Sequence, residues 1–381
     1  MSIYFDNSAT TKPFKEVLEL FSKISIDNFE NPSSLHIGGL EAENLINDAR
    51  VKIASLLGVL KEQIIFTSCG TESNNLAILG CLKSSPRLGK HIITTKIEHP
   101  SVLEVYRSLE QQGYNVEFLD VDSKGLVNKE CLCKAITSQT ALVSLTHVNG
   151  EIGTILDVFE ICEKVKRINP NTFFHVDAIQ SFGKLPINLR QSSIDMLSIS
   201  SHKIHGLKGV GALFIKDKKK LSPILLGGGQ EDNKRSGTQN VAGICSFALA
   251  SEMMCSDKES YKKVLELNQY FRKKVKEIFK NAQIISPDCA SPYVLNVSFK
   301  GTKAEVIVHA LEQRGILVST GSACSSKKKT GSHVLKALGL EQNLIQGALR
   351  FSFSRYNNIR DVDTVLNTIF EILSIYFPKV K

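Results

Sequence analysis

Ala42, Leu45, Ile46, Ala49, Ile53, Leu56 and Leu57 recur at three- and four-residue intervals, which predicts a helix with one apolar face, and Gly58 ends it. Seven short apolar runs follow: IIFTS, HIITT, NVEFLD, ALVSLTHV, TFFHVD, MLSIS and VGALFI. Several are too uniformly apolar for a sheet with one wet face, so both faces are expected to be covered. Strand runs alternating with helical stretches from about residue 40 to 215 predict an α/β layer, a mostly parallel sheet between helices. After GGGQEDNKRSGTQN the pattern changes to long helical stretches, then to shorter strands around Val294 to Phe299 and Ala348 to Ser354. A second, smaller α+β domain is expected. The expected division gives 13–250 to a large domain, and 1–12 with 251–381 to a small one.

The 381-residue chain is 42% hydrophobic and 22% charged, ordinary for a globular protein, and has no apolar run of the roughly 20 residues needed to span a bilayer. MSIYFDNSATT lacks the basic start and apolar core of a signal peptide, so a cytoplasmic location is expected. Nine cysteines without paired CxxC motifs suggest reduced thiols, and a cysteine with a chemical role. The net charge of +9 owes much to KDKKK (Lys216 to Lys220) and KKK (Lys327 to Lys329). Without interleaved aromatics, these runs read as solvated faces and no direct nucleic-acid partner is expected.

In parallel α/β sheets ligands bind beyond the carboxyl ends of the strands, so polar residues just past the apolar runs are the candidates. IIFTS leads into CGTESNN and a helix, whose first amides, near Gly70 and Thr71, suit a phosphate; a simple helix cap is the other reading. THVNGEIG places Asn149 past another strand, and HVDAIQS does the same for Asp177. MLSIS runs into Ser200, Ser201, His202 and Lys203. A lysine and an aspartate ending consecutive strands suit pyridoxal phosphate: the lysine forms a Schiff base, and the aspartate keeps the ring nitrogen protonated. His99, in TTKIEHPSV, lies at the same rim. Cys324, in STGSACSSKKKTGS, sits among lysines that favour its thiolate.

Taken together, YFDNSATT, NPSSLH, FTSCGTESNN, EHP, HVNGEIG, HVDAIQSFGKLP, SSHKIHGLKG, GGGQE, RSGT, STGSACSS and RFSFSR resemble the cysteine desulfurases of the class V aminotransferase group, the NifS/IscS-like proteins, over nearly the whole chain. The resemblance implies a fold-type I architecture, a homodimer with active sites at the subunit interface, and release of sulfur from L-cysteine to leave L-alanine. It makes Lys203 the Schiff-base lysine, Asp177 the partner of the ring nitrogen and His99 the residue stacked on the ring. Asn149 and Gln180 would contact the ring's hydroxyl side, and Gly70, Thr71, Ser200, Ser201 and His202 the phosphate. Thr238 would reach the neighbouring subunit's phosphate, while Arg350 would clamp the substrate carboxylate, with Asn149 beside it. Cys324 would carry the persulfide to an acceptor protein, such as an iron-sulfur scaffold or a tRNA-thiolation enzyme, and is a candidate ligand for a transferred cluster. No resident metal is implied. Cys69, His205, Leu207 and the DNK after GGGQE depart from the pattern, which puts loop packing in question but removes no catalytic group.

Three other functions compete with this one. A lyase or transaminase on the same fold, such as a selenocysteine lyase, would not need a loop thiol in the transaminase case. A non-catalytic sulfur-binding or RNA-associated scaffold would be colourless when purified. A zinc site from His202, His205, Cys131 and Cys133 has spacings unlike those of structural sites.

Overall fold

The computed structural model describes residues 2–321 and 331–378. Its strands are β1 (Ile3–Tyr4), β2 (Ile64–Thr67), β3 (His91–Thr95), β4 (Asn115–Leu119), β5 (Thr140–Thr146), β6 (Phe173–Asp177), β7 (Met196–Ser200), β8 (Gly211–Ile215), β9 (Ala282–Ile284), β10 (Val294–Phe299), β11 (Ile316–Leu317) and β12 (Ala348–Ser352). All seven apolar runs before residue 216 become strands of one sheet, ordered β2-β8-β7-β6-β5-β3-β4. Only β8 opposes its neighbours; every other pairing in this sheet is parallel. The reversal follows from chain length, because the link between Ser200 and Gly211 is shorter than the dozen or so residues of a parallel crossover.

Both faces of this sheet are covered, as the uniformly apolar runs require. Ile64, Phe66, Val143, Val176 and Ile199 point into a core shared with the helices Lys15–Asp27, Ile37–Leu57 and Val241–Ser256. Ile65, Ile92, Leu142 and Leu213 point the other way, onto Leu76 and Cys81 of Gly70–Ser84 and Tyr106 of Pro100–Gln111. The helix over Ile37–Leu57 ends at Gly58, whose φ of 73° is the left-handed conformation glycine adopts without a Cβ penalty.

A separate core joins Phe5 to Val264, Phe271, Leu295, Phe351 and Ile369, contributed by the helices Lys258–Ile278 and Ile359–Tyr376 and the β12-β10-β9 antiparallel sheet. The chain leaves the first core after Met254 and enters the second at Val264. Asp257 caps the new helix, accepting a hydrogen bond from the Ser260 amide at 2.9 Å. Residue 250 lies inside the preceding helix. The amino-terminal β1 pairs in parallel with β11, which ties residues 3–4 to the second core. Among the described residues, no helix is long and apolar enough to cross a membrane.

Candidate active site

Because β2, β3, β5, β6 and β7 run the same way, their carboxyl ends share one edge of the sheet. The residues just past those ends line a cavity of about 250 Å³. Past β2 come Gly70 and Thr71, past β3 His99, and past β5 Asn149; β6 ends on Asp177 with Gln180 beyond it, and β7 delivers Ser200, His202 and Lys203. Arg350, from β12 of the second core, closes the same cavity.

Asp177 is buried, and its carboxylate is held from two directions. The Asn74 amide donates to Oδ2 at 2.9 Å and the Ile179 amide to Oδ1 at 3.0 Å. Asn74 also donates to Ser101 Oγ at 2.9 Å, and Ser101 Oγ lies 2.7 Å from His99 Nδ1. Accepting from Asn74 leaves the Ser101 hydroxyl its own proton to give to the histidine. The Ser101 amide donates to the same ring nitrogen at 3.1 Å, as expected where His99 caps the helix Pro100–Gln111. Nδ1 is therefore an acceptor, and a neutral His99 carries its proton on Nε2. Burial holds His99 below the usual histidine range; Asp177 opposes this, while Lys203 and His333 add to it. Asn74 and Ser101 were not singled out in the sequence, although Asn74 lies one helical turn after Gly70, on the same face.

Glu98 is fully buried behind this network and accepts from Thr95 Oγ1 at 2.6 Å. Burial raises its pKa from 4.5 to about 8, with the Asp177 charge adding to the shift. The folded protein thus keeps a proton that the unfolded chain releases, so this group's contribution to stability is lost as pH rises from about 4.5 towards 8. Glu98→Gln removes the titration without changing the shape. In urea unfolding between about pH 5 and pH 8, the stability of the variant relative to the parent is expected to rise with pH. A constant difference would show that Glu98 is ionised in the fold.

Lys203 lies in a 3₁₀ turn, Ser201–Lys203, where its Nζ donates to the Ser8 and Ala9 carbonyls at 2.6 and 2.7 Å. The NSATT segment is fastened to this turn, as Thr11 donates to the His202 carbonyl from both its amide and its hydroxyl. Lys96, also just past a strand, is instead exposed and ion-paired with Asp120 at 2.6 Å. It does not line the cavity.

An anion-sized cradle lies at the start of the helix Gly70–Ser84. A Cβ on Gly70 would sit 2.2 Å from Ile179 Cδ1 and 3.4 Å from Ser200 Cβ, so a larger residue here would have to push the Ile179 side chain aside. Ser200 is buried there, and its Oγ has no hydrogen-bond partner among the described residues. An orphaned hydroxyl beside the first amides of a 15-residue helix suits an anionic ligand. Burial, with the charges of Lys203, Lys208 and Lys184, pushes the His202 pKa down to about 3, so the ring is neutral.

Other candidate residues are placed less simply. Ser201 is fully buried but does not line the cavity, because its Oγ is turned towards Gly206, 2.1 Å from where a Cβ on that glycine would be. Asn149 Oδ1 accepts from the Glu151 and Ile152 amides at 2.9 and 3.0 Å while Nδ2 donates to the Ile97 carbonyl, so most of its capacity shapes the turn after β5. Arg350 is buried and already pairs with Asp6 at 2.7 Å and the Gly150 carbonyl at 3.1 Å; its Nε has no partner among the described residues. Thr238 is exposed and outside the cavity. Cys324 lies outside the described residues.

The departures from the family pattern are accommodated. His205 takes a left-handed φ of 62°; its ring packs 4.7 Å from Phe14, and Nδ1 lies 2.7 Å from the Lys12 carbonyl. Cys69 lines the cavity as a free thiol. Leu207 packs against the first core. In DNK, Asp232 pairs with Lys218 at 2.5 Å. Among the described residues, no three His, Cys, Asp or Glu side chains are grouped to hold a metal.

Residues 3–365 match the family model described as aminotransferase class-V. The chain is 41% identical to "Cysteine desulfurase IscS" of Dictyoglomus turgidum over 97% of its own length and 94% of the relative's. It is likewise 41% identical to the protein of that name from Methanosarcina thermophila, covering 98% of this chain and 92% of that one. A solved structure titled "NIFS-LIKE PROTEIN" superposes with a TM-score of 0.93 at 38% identity, over 98% of this chain and all of the other. Another, "SspA in complex with cysteine", gives 0.83 at 35% identity over 94% of this chain and all of that one. With this match across nearly its whole length, the chain belongs to the class-V aminotransferase family.

Proposed function

We propose that this chain is a cysteine desulfurase that uses pyridoxal 5'-phosphate to take sulfur from L-cysteine, leaving L-alanine and a persulfide on Cys324. The observation that carries the proposal is the convergence of Lys203, Asp177, His99 and an anion cradle at adjacent strand ends in one cavity, in a chain whose relatives are named for this activity. The residues fit the cofactor. Lys203 would hold it covalently, the Gly70–Thr71 amides and Ser200 would take its phosphate, and Asp177 would face the ring nitrogen. His99 would lie on the ring face, and His202 beside the phosphate. When bound, the cofactor supplies an electron sink for bonds at the substrate's α-carbon.

The chain's own groups do the rest. Asp177, fixed by Asn74 and the Ile179 amide, holds a proton at the ring nitrogen. Arg350 binds the substrate carboxylate with the part of its fork that Asp6 and Gly150 leave unused. Cys324 accepts the sulfur and passes it to an acceptor protein. An iron-sulfur scaffold and a tRNA-thiolation enzyme are the acceptor classes in view. Thr238, exposed on one chain, would complete the neighbouring subunit's phosphate site in a homodimer. Free thiols among the described cysteines suit the cytoplasm.

The test is to load the purified protein with pyridoxal phosphate, supply L-cysteine and quantify alanine and sulfide. Both should form without a keto-acid cosubstrate. A requirement for a keto acid would make it a transaminase, and turnover of selenocysteine alone would make it a lyase for that amino acid.

Asp177→Asn is expected to keep the fold and the bound cofactor. Its neutral amide cannot hold a charged ring nitrogen, so alanine formation should fall by roughly a hundredfold or more. Comparing turnover with the visible spectrum checks this. Turnover near that of the parent would remove Asp177 from the role.

A further inference from the structure

A buried lysine with no anionic partner among the described residues stands behind the cavity wall. Lys184 is only 8% exposed, yet among the described residues no acidic group offsets its burial; burial and the like charge of Lys203 lower its pKa to about 7. Burying an ammonium without a counter-charge is costly, and an apolar side chain of similar length would fill the space more cheaply. Its polar contacts are few. The ammonium lies 5.5 Å from the centre of the Tyr293 ring, and Nζ donates to Gln180 Oε1 at 3.4 Å.

Gln180 lines the cavity. Its Nε2 donates to the Ser8 carbonyl at 2.9 Å, the same oxygen that Lys203 Nζ reaches at 2.6 Å. With Lys184 protonated, a reversed amide would set Oε1 against that carbonyl and the NH2 group against the ammonium, two repulsive contacts in place of two favourable ones. Lys184 and Ser8 thus fix the amide from its two ends. One Nε2 hydrogen goes to Ser8, and the other remains for an acceptor. Gly150 keeps that side open, since a Cβ there would lie 3.0 Å from Nε2.

We propose that Lys184 is a positioning residue, which fixes the Gln180 amide so that its N–H donor, not its carbonyl, faces a ring-borne oxygen anion of a ligand attached at Lys203. The inference rests on the pyridoxal phosphate reading, in which Gln180 meets the ring's hydroxyl side. Lys184 touches neither ligand nor substrate; it acts through Gln180. An amide free to flip would offer the anion a carbonyl oxygen part of the time, weakening binding and shifting the ring's absorption.

The test is a double-mutant cycle on the full chain. Pyridoxal phosphate affinity and the visible absorption maximum are measured for the parent, Lys184→Met, Gln180→Ala and the double variant. Thermal unfolding checks the folded state, and Lys184→Leu is measured in parallel so that the result does not depend on one replacement folding. Lys184→Met is expected to weaken cofactor binding about tenfold and shift the band, but to add less than about twofold in the Gln180→Ala background. Lys184→Gln, which keeps an N–H donor towards Gln180, should stay within about threefold of the parent. Parent-like affinity and absorption in Lys184→Met would overturn the proposal while leaving the cofactor reading intact. So would an equal loss in both backgrounds, which marks a role in packing alone. If the parent itself neither binds pyridoxal phosphate nor absorbs in the visible region, the functional reading falls and this inference with it.

Discussion

Lys203→Ala is expected to yield a folded protein that neither holds pyridoxal phosphate covalently nor releases alanine from L-cysteine. The side chain ends a 3₁₀ turn at the carboxyl edge of the sheet, where its Nζ is steered to the Ser8 and Ala9 carbonyls. Losing two charge-assisted hydrogen bonds costs stability, but removing the ammonium also ends its repulsion with Lys184, so the net effect on folding should be small. The chemical effect should be large. Without an amine at this position no covalent hold on the cofactor remains, and alanine production should drop by roughly a thousandfold or more, the scale on which removing a covalent catalyst acts. Absorbance of the dialysed protein and alanine assayed after L-cysteine addition check both parts. A visible band surviving dialysis, with turnover, would place the attachment elsewhere.

The second large effect is expected at Cys324. Cys324→Ser leaves Lys203, Asp177 and His99 in place, so the protein should still bind the cofactor and change its visible spectrum on adding L-cysteine. It should release alanine at a rate lower by roughly a hundredfold or more, because a hydroxyl is a far poorer acceptor of sulfur than a thiolate at neutral pH. Mixing the variant with L-cysteine, following the spectrum and quantifying alanine separates the two steps. Alanine at the parent's rate would move the persulfide to another thiol, and Cys69, which already lines the cavity, would be the first to examine.

The strands were legible in the sequence because both faces of the sheet are buried, which turns each strand into an uninterrupted apolar run. The rule that ligands gather past the carboxyl ends then led to Asp177 and Lys203 without any knowledge of the fold's details. Other features were not legible for physical reasons. Asn74 reads as an ordinary helix residue, and only the folded sheet brings it within 2.9 Å of Asp177. Ser201 sits next to Ser200 and His202, yet the tight turn sends its hydroxyl towards Gly206 and away from the cavity. Arg350 looks like an unencumbered carboxylate clamp until the fold brings Asp6, more than three hundred residues earlier, to within 2.7 Å. Lys184 carries no local signal at all, because a lysine directly after FG is surface-like in every respect except its burial.

Reductive trapping tests the central claim most directly. Purified protein with pyridoxal phosphate bound is treated with borohydride, digested and mapped by mass spectrometry. The account predicts a pyridoxyl label on the peptide containing Lys203, in ISSHKIHGLKG, and on that lysine within it. A label on Lys96, Lys184, Lys208 or any other lysine would contradict it, and so would a protein that binds no cofactor to trap.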